Sequence, residues 1–260
     1  DSRTMPNPQH LNASRFSRLF LAAAAMFLVL GCAGVKDLSG QRDPKELYDT
    51  AMKSYLDERY EEAETAFRVL LEEHPLSSYS LDAQLMLGDV CYSLERFDDA
   101  SSYYTNFVAL HPVHPRAAYA LFQKGMSHFK EVLSHDRDQT ATRKALFAFE
   151  DLVANYPGSP YYEKSKELVS FLRKRLADRE FYVAHFYYKS GNYKGALGRL
   201  REILRSYPDE GLTDKTLYYI GESYRRLGEM KLANEAYTTL IRSYPESPFV
   251  NDAKEVLDKG

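Results

Sequence analysis

From Leu47 onward, apolar residues recur three and four positions apart with polar residues between them, the period of helices that bury one face. In LYDTAMKSYLDERYEEAETAFRVLLEEHP, Leu47 to Pro75, the positions Ala51, Ala63, Phe67 and Leu70 mark the inner faces of two successive helices. A fixed ruler underlies them: a small residue, an alanine twelve residues later, a large apolar residue four further on, and a proline twelve past the alanine. Ala51, Ala63, Phe67 and Pro75 fit it, as do Gly88, Ala100, Tyr104 and Pro112. Ala184, Ala196, Leu200 and Pro208 fit again, and so do Gly221, Ala233, Tyr237 and Pro245. A stretched copy uses Gly125, Ala145, Phe149 and Pro157, with twenty residues between its two small positions in place of twelve.

The ruler has a packing rationale. Small residues on facing helices permit a short interaxial distance. The large residue one turn past the alanine shares its face and is placed to plug the neighbouring repeat. A proline lacks the backbone donor and restricts the residue before it, so the second helix ends there. The pattern resembles the tetratricopeptide repeat, two antiparallel helices per unit. The resemblance implies an all-α fold: a right-handed superhelix of five tetratricopeptide-like helix hairpins, with a long central helix and a C-terminal capping helix.

In chain order, the first repeat spans about 43–75 and the second 78–112, with Ser77 and Ser78 placed to cap the next helix. The extra residues of the third repeat fall in EVLSHDRDQTAT, a polar loop that is either a contact surface or solvated. Between Pro157 and Gly191 no proline or glycine follows Pro160, and Leu168, Phe171, Leu172, Leu176, Val183 and Tyr187 keep helical spacing, which predicts one helix of about 30 residues. Phe249 to Leu257 predicts the final helix that covers the last repeat.

The start of the chain has a different character. Arg15 and Arg18 precede the apolar run Leu19 to Leu30, which at twelve residues is too short to cross a bilayer as a helix. A basic start and a short apolar middle predict a signal peptide over 1–31. The run ends Val29-Leu30-Gly31-Cys32 and resembles the bacterial lipobox. That resemblance implies cleavage before Cys32, a diacylglycerol on its thiol and a further acyl chain on its amine; several chains are needed because one anchors only marginally. Residues 32–42 then form a lipidated N-terminus and polar linker.

Composition narrows the function classes. The formal charge of −3 gives no case for nucleic acid, yet its distribution is uneven. Asp43 to Ala100 carries fifteen acids against five bases, and Glu163 to Arg205 eleven bases against five acids, so the two ends present opposite fields. Cys32 and Cys91 are too few for a disulfide framework, and Cys91 falls on the inner side of its helix as a buried thiol. His111 and His114 flank a proline turn without a carboxylate pair, which does not make a metal site. No phosphate loop, zinc-ligand spacing or nucleophile elbow occurs, so the chain is not expected to be an enzyme.

The strings HPVHPRAAYALFQKG, DRDQTATRKALFAFEDLVANYPGSPYY and LRKRLADREFYVAHFYYKSGNYKGALGRLREILRSYPD resemble the BamD/ComL family of β-barrel assembly lipoproteins, nearly throughout from Cys32. Arg137-Asp138, Arg175-Leu176-Ala177, Val183-Ala184 and Tyr207-Pro208 match the family pattern; Val113 and Gln139 depart from its usual threonine and proline. The resemblance implies a lipid-anchored adaptor on the periplasmic face of the outer membrane. Its partners would be a BamA-type insertase with POTRA domains, accessory Bam lipoproteins and unfolded outer-membrane β-barrel proteins. Residues 43–160 would form the substrate-side half and 161–258 the insertase-docking half, where Arg199 matches a family arginine. The alternative is a tetratricopeptide scaffold or pilotin lipoprotein of another envelope machine, for secretin assembly or cell-division coordination.

With first helices lining a groove, the N-terminal half would expose Tyr48, Met52, Tyr55, Leu85, Tyr92, Phe122, Met126 and Phe129, with Tyr55 and Phe129 the most open. Such a trough suits an extended, alternating apolar segment; the same residues also suit the core between repeats. In the C-terminal half the groove set turns polar and basic: His185, Tyr188, Lys189, Glu222, Arg225 and Arg226. With Arg199 these predict a salt-sensitive protein contact, or else a solvated helix face. No cofactor is expected beyond the lipid on Cys32.

Overall fold

The computed structural model describes residues 42–208 and 210–259, so the expected signal peptide and Cys32 lie outside the described residues. The unit from Pro44 onward is helical throughout, with no strand among the described residues. Helices α1 (Pro44–Leu56) and α2 (Tyr60–Glu73) make the first hairpin, α3 (Ser80–Ser93) and α4 (Phe97–Leu110) the second. The third joins α5 (Ala117–Lys130) to α6 (Thr140–Asn155). Helix α7 (Tyr162–Lys189) follows, its C-terminal part pairing with α8 (Tyr193–Ser206); α9 (Thr213–Arg226) and α10 (Met230–Ser243) complete the hairpins, and α11 (Val250–Lys259) covers the last one. Each helix makes its substantial contacts with the helix before and after it, the quasi-linear stacking of a tetratricopeptide-like repeat protein.

The ruler positions are the core. Ala51, Ala63, Phe67, Ala100, Tyr104, Ala145, Phe149, Ala184, Ala196, Ala233 and Tyr237 are fully buried. The glycines are there because of the plugs. A Cβ on Gly88 would stand 2.6 Å from the Tyr104 ring, on Gly125 2.5 Å from Phe149, and on Gly221 2.5 Å from Tyr237. The plug therefore fills the space against the first helix of its own hairpin, in addition to the neighbouring repeat it was expected to plug. Neighbouring helices still close over it: Phe67 shares a cluster with Ala83 and Leu87 of the next hairpin.

Turn chemistry is equally regular. The residues before the five repeat prolines are His74, His111, Tyr156, Tyr207 and Tyr244, all at φ between −130° and −137°, each amide still donating to the carbonyl four residues back. Between the helices of four hairpins one turn position is left-handed: Glu58, Glu95, Gly191 and Gly228, with φ of 60°, 58°, 79° and 81°. Ser77 and Ser78 are not caps. Helix α3 starts at Ser80, whose hydroxyl donates back to the His74 carbonyl at 2.6 Å.

Helix α7 is 28 residues long because it serves two packing units. Leu168 and Leu172 bury against Ala145 and Phe149 of the third hairpin. Phe181 and Ala184 bury against Ala196 and Leu200 of α8. The inserted loop is shorter than expected, 131–139, since α6 already begins at Thr140. Gln139 is buried within it; its amide donates to the Ser134 and Arg137 carbonyls at 2.8 and 3.0 Å, and its oxygen accepts from Thr142 at 2.9 Å.

Candidate functional site

The position just after each small residue on the first helix holds the partner of the plug. After Gly88 comes Asp89, and the Tyr104 hydroxyl donates to it at 2.7 Å. After Gly221 comes Glu222, and the Tyr237 hydroxyl donates to it at 2.6 Å. Where the plug is Phe67 or Phe149, the same position is Met52 or Met126; where it is Leu200, it is His185. Tyrosine plugs thus face an acid, and apolar plugs do not.

Each acid also reaches a neighbouring repeat. Asp89 accepts a second bond from Tyr119 of α5 at 2.8 Å. Burial lifts the Asp89 carboxyl above the usual aspartate range, and the two tyrosine bonds offset this only in part. Glu222 accepts from Tyr188 of α7 at 3.0 Å and from Arg225 at 2.8 Å on each oxygen. Burial pushes Glu222 up, but the bonds from Arg225, Tyr237 and Tyr188 together outweigh it and hold the carboxyl below the usual glutamate range. Glu222 is therefore a buried acceptor and not a groove-facing charge, and Arg225 belongs to the same network.

The C-terminal half also differs from its expected polar face. His185 stacks between Phe181 and Tyr188, and the Tyr219 ring meets His185 edge-on at 5.3 Å. Tyr218 stacks on Phe249 at 4.9 Å, and Lys215 Nζ sits 4.0 Å from the Phe181 ring centre. An aromatic ladder thus joins α7, α9 and the segment leading into α11. Lys189 and Arg226 remain exposed at its edge. Arg199 stands apart on α8, half-exposed, with an ion pair to Glu180 of α7 at 3.1 Å.

In the N-terminal half, Tyr48, Met52, Tyr55, Tyr92, Phe122, Met126 and Phe129 are all half-buried. Their rings lean on local neighbours: Tyr55 on Tyr60, Tyr92 on Phe97, Phe129 on Phe171. Leu85 is fully buried beside Tyr104 and Ala120 and does not line a groove, because its side of α3 faces the next hairpin. Sequence reasoning missed a cleft of about 780 Å³ between the proline turns at 112–116 and 155–161. Tyr119 and Tyr161 form part of its wall, and the Tyr156 hydroxyl ties the two turns by donating to the Pro112 carbonyl at 2.8 Å.

Other candidates resolve simply. Cys91 is buried, with Arg96 donating to its sulfur at 3.0 Å. His111 and His114 pack their rings on Phe107. Asp98, His128 and Glu131 bring ligand-type atoms within 4.8 Å of one another. There the Lys144 ammonium lies 3.8 Å from Asp98, and burial, Lys144 and Lys124 hold the His128 pKa down, so the local cation is already a lysine. No described helix is long and apolar enough to cross a membrane.

Residues 40–238 match the YfiO family, described as an outer membrane lipoprotein. The chain is 28% identical over 234 residues to the "outer membrane protein assembly factor BamD" of Caulobacter vibrioides, covering 88% of this chain and 77% of that relative. It is 30% identical over 219 residues to the protein of that name from Neisseria meningitidis serogroup A, covering 80% and 82%. A thermophilic tetratricopeptide protein of Thermus thermophilus overlays at a TM-score of 0.37 with 17% identity, over 83% of this chain and 99% of that one.

Proposed function

This chain belongs to the YfiO family of outer membrane lipoproteins, and from that membership we propose that it is an outer membrane protein assembly factor held to the membrane by lipid on Cys32. The family match along most of the chain carries this reading. It works as an adaptor, through surfaces and without bond-making chemistry. The half from 161 to 258 docks on the POTRA domains of a BamA-type insertase, beside accessory Bam lipoproteins. Among the cations expected to dock, Arg199, Lys189 and Arg226 are the exposed or half-exposed ones. The half from 43 to 160 receives unfolded β-barrel chains, with the half-buried rings of α1, α3 and α5 offering apolar contacts to an extended segment.

The test is depletion in the native host with quantitative proteomics of the outer membrane. Loss of many barrel proteins together is expected; loss of one machine's barrel alone would overturn the assignment. Photocrosslinkers at Tyr55 or Phe129 should capture a barrel C-terminal peptide above a control on the outer helices. Arg199→Glu should reduce recovery of the insertase in a pull-down, and the gap to the parent should narrow as salt rises.

A further inference from the structure

Helix α7 carries an exposed strip that the hairpins touch only at its start, where Phe129 leans on Phe171. Phe171, Arg175, Arg179, Tyr182 and Phe186 follow one another at spacings of four, four, three and four, so they share one face. The strip exists because α7 changes its buried side midway: Leu168 and Leu172 face the third hairpin, Phe181 and Ala184 face α8, and once the buried side has turned, the face that continues from Leu168 is left open. Its rings are open for such large apolar groups, with Phe171 45%, Tyr182 49% and Phe186 64% exposed.

The two arginines are held in place. Arg175 lies 5.3 Å from the Phe171 ring centre and Arg179 5.8 Å from that of Tyr182. Arg175 donates to the Leu133 carbonyl at 2.5 Å and Arg179 to the Asp136 carbonyl at 3.0 Å, which straps the inserted loop along the strip. Leu133, itself 47% exposed, stands at that border. Among the described residues neither guanidinium has a carboxylate partner. Two positive charges are thus fixed between aromatic rings with unused donors.

We propose that this strip seats an extended segment of a partner protein that carries carboxylates between apolar side chains. Charge complementarity requires the carboxylates, and the open rings require the apolar groups. Fixed aromatic and arginine side chains are the types that dominate protein–protein binding energy. The fifteen steps from Phe171 to Phe186 give about 22 Å of helix, which about seven residues of extended chain would span. A lipid surface fits less well: Asp136 and Asp138 in the bordering loop and Asp178 on the helix put carboxylates at the rim, and a peptide can set its own carboxylates on the two arginines and apolar groups at the rim, whereas an anionic bilayer presents charge to both. The strip is turned away from Arg199, since Glu180, the partner of that arginine, lies roughly 140° around α7 from the middle of the strip, whereas Lys189, three residues past Phe186, borders its C-terminal end.

Fluorescence anisotropy on the full chain tests this with labelled peptides of about seven residues: aspartate alternating with leucine, lysine with leucine, and aspartate with serine. Only the first should bind, and R175E/R179E should weaken it at least about tenfold, more at low salt. Phe186→Ala, which leaves both loop straps in place, should weaken it about fivefold, and Arg205→Glu on α8 should leave it unchanged. Arg199→Glu should also leave it unchanged, which separates failure here from failure of the insertase reading. Equal binding of the lysine peptide, or an unaltered Kd in both strip variants, would overturn the proposal. So would vesicles of phosphatidylglycerol that bind the chain and lose it on R175E/R179E.

Discussion

Replacing Gly125 by alanine puts a methyl carbon 2.5, 2.7 and 2.8 Å from three carbons of the Phe149 ring, which has no exposed surface. Carbon contacts are favourable near 3.5–4.0 Å, so the ring has to retreat by about 1 Å in a packed interior. Overpacking of this kind costs about 1–3 kcal/mol, and three ring carbons in contact place it at the upper end. Alanine returns about 1 kcal/mol of helix propensity, leaving a net loss of about 2 kcal/mol. Phe149→Leu alone should cost about 1–1.5 kcal/mol as a near-conservative core change. The double variant recreates the pair that Ala184 and Leu200 form in the fourth hairpin, where both are buried. It should therefore lie only about 1 kcal/mol below the parent, a coupling of about 2 kcal/mol. Urea unfolding followed by circular dichroism, with amide exchange across α5 and α6, measures all three. A neutral Gly125→Ala, or a double variant additive within about 0.5 kcal/mol, would refute the account of why glycine stands opposite the plug.

Acid should act oppositely on the two tyrosine–carboxylate networks. The folded pKa of Asp89 is raised, so its contribution is present below the unfolded value near 3.8 and is lost as pH rises through the folded one. The folded pKa of Glu222 is lowered, so its contribution is present above the unfolded value near 4.5 and is lost as pH falls through the folded one. Exchange protection between neutral pH and about pH 4 should rise for α3–α4 and fall for α9–α10, and Asp89→Asn and Glu222→Gln should each remove only their own response; a common direction would sink the assignment. Gln139→Ala strips two loop carbonyls and the Thr142 hydroxyl of their partner, which should cost about 1–2 kcal/mol and speed proteolysis within 131–139. Glu95→Gly relieves a left-handed glutamate at φ 58° and should raise stability by about 0.5–1 kcal/mol in the same urea assay, whereas Glu95→Ala should not.

The hairpins were legible because tight helix pairing needs small residues at fixed spacing, and Ala51, Gly88, Gly125, Ala184 and Gly221 supply it. The plug partners were not legible by direction alone. Asp89 and Glu222 sit one residue past the small position and look like face residues until a tyrosine hydroxyl is placed beside them. A usable signal was present: both acids follow the small residue directly and precede a tyrosine plug, whereas methionine or histidine follows the small residue when the plug is phenylalanine or leucine. Leu85 was misplaced because the inner side of α3 packs against hairpins on both flanks, so a groove-facing direction inferred from one hairpin is already covered by the next. The strip on α7 escaped notice for a related reason. Periodicity taken over 28 residues averages two buried faces and hides the stretch left open where the first gives way to the second.

The same geometry sorts the cations available to a docking partner. Arg225 gives two donors to Glu222, whose side chain is almost wholly buried. A partner that drew Arg225 away would leave a buried carboxylate short of its only cation among the described residues, a penalty of several kcal/mol. Arg199 holds a partly exposed ion pair with Glu180, worth about 0–1 kcal/mol, so it can exchange that partner for another at small cost. Lys189 and Arg226 are exposed and open to contact. Docking energy should then concentrate on Arg199, Lys189 and Arg226, while Arg225 acts as a residue of the fold. Arg225→Ala should lower the unfolding midpoint and insertase recovery together, and Arg199→Ala should lower recovery with the midpoint unchanged. If Arg225→Ala left the midpoint in place and abolished recovery, the buried network would not be what holds that arginine.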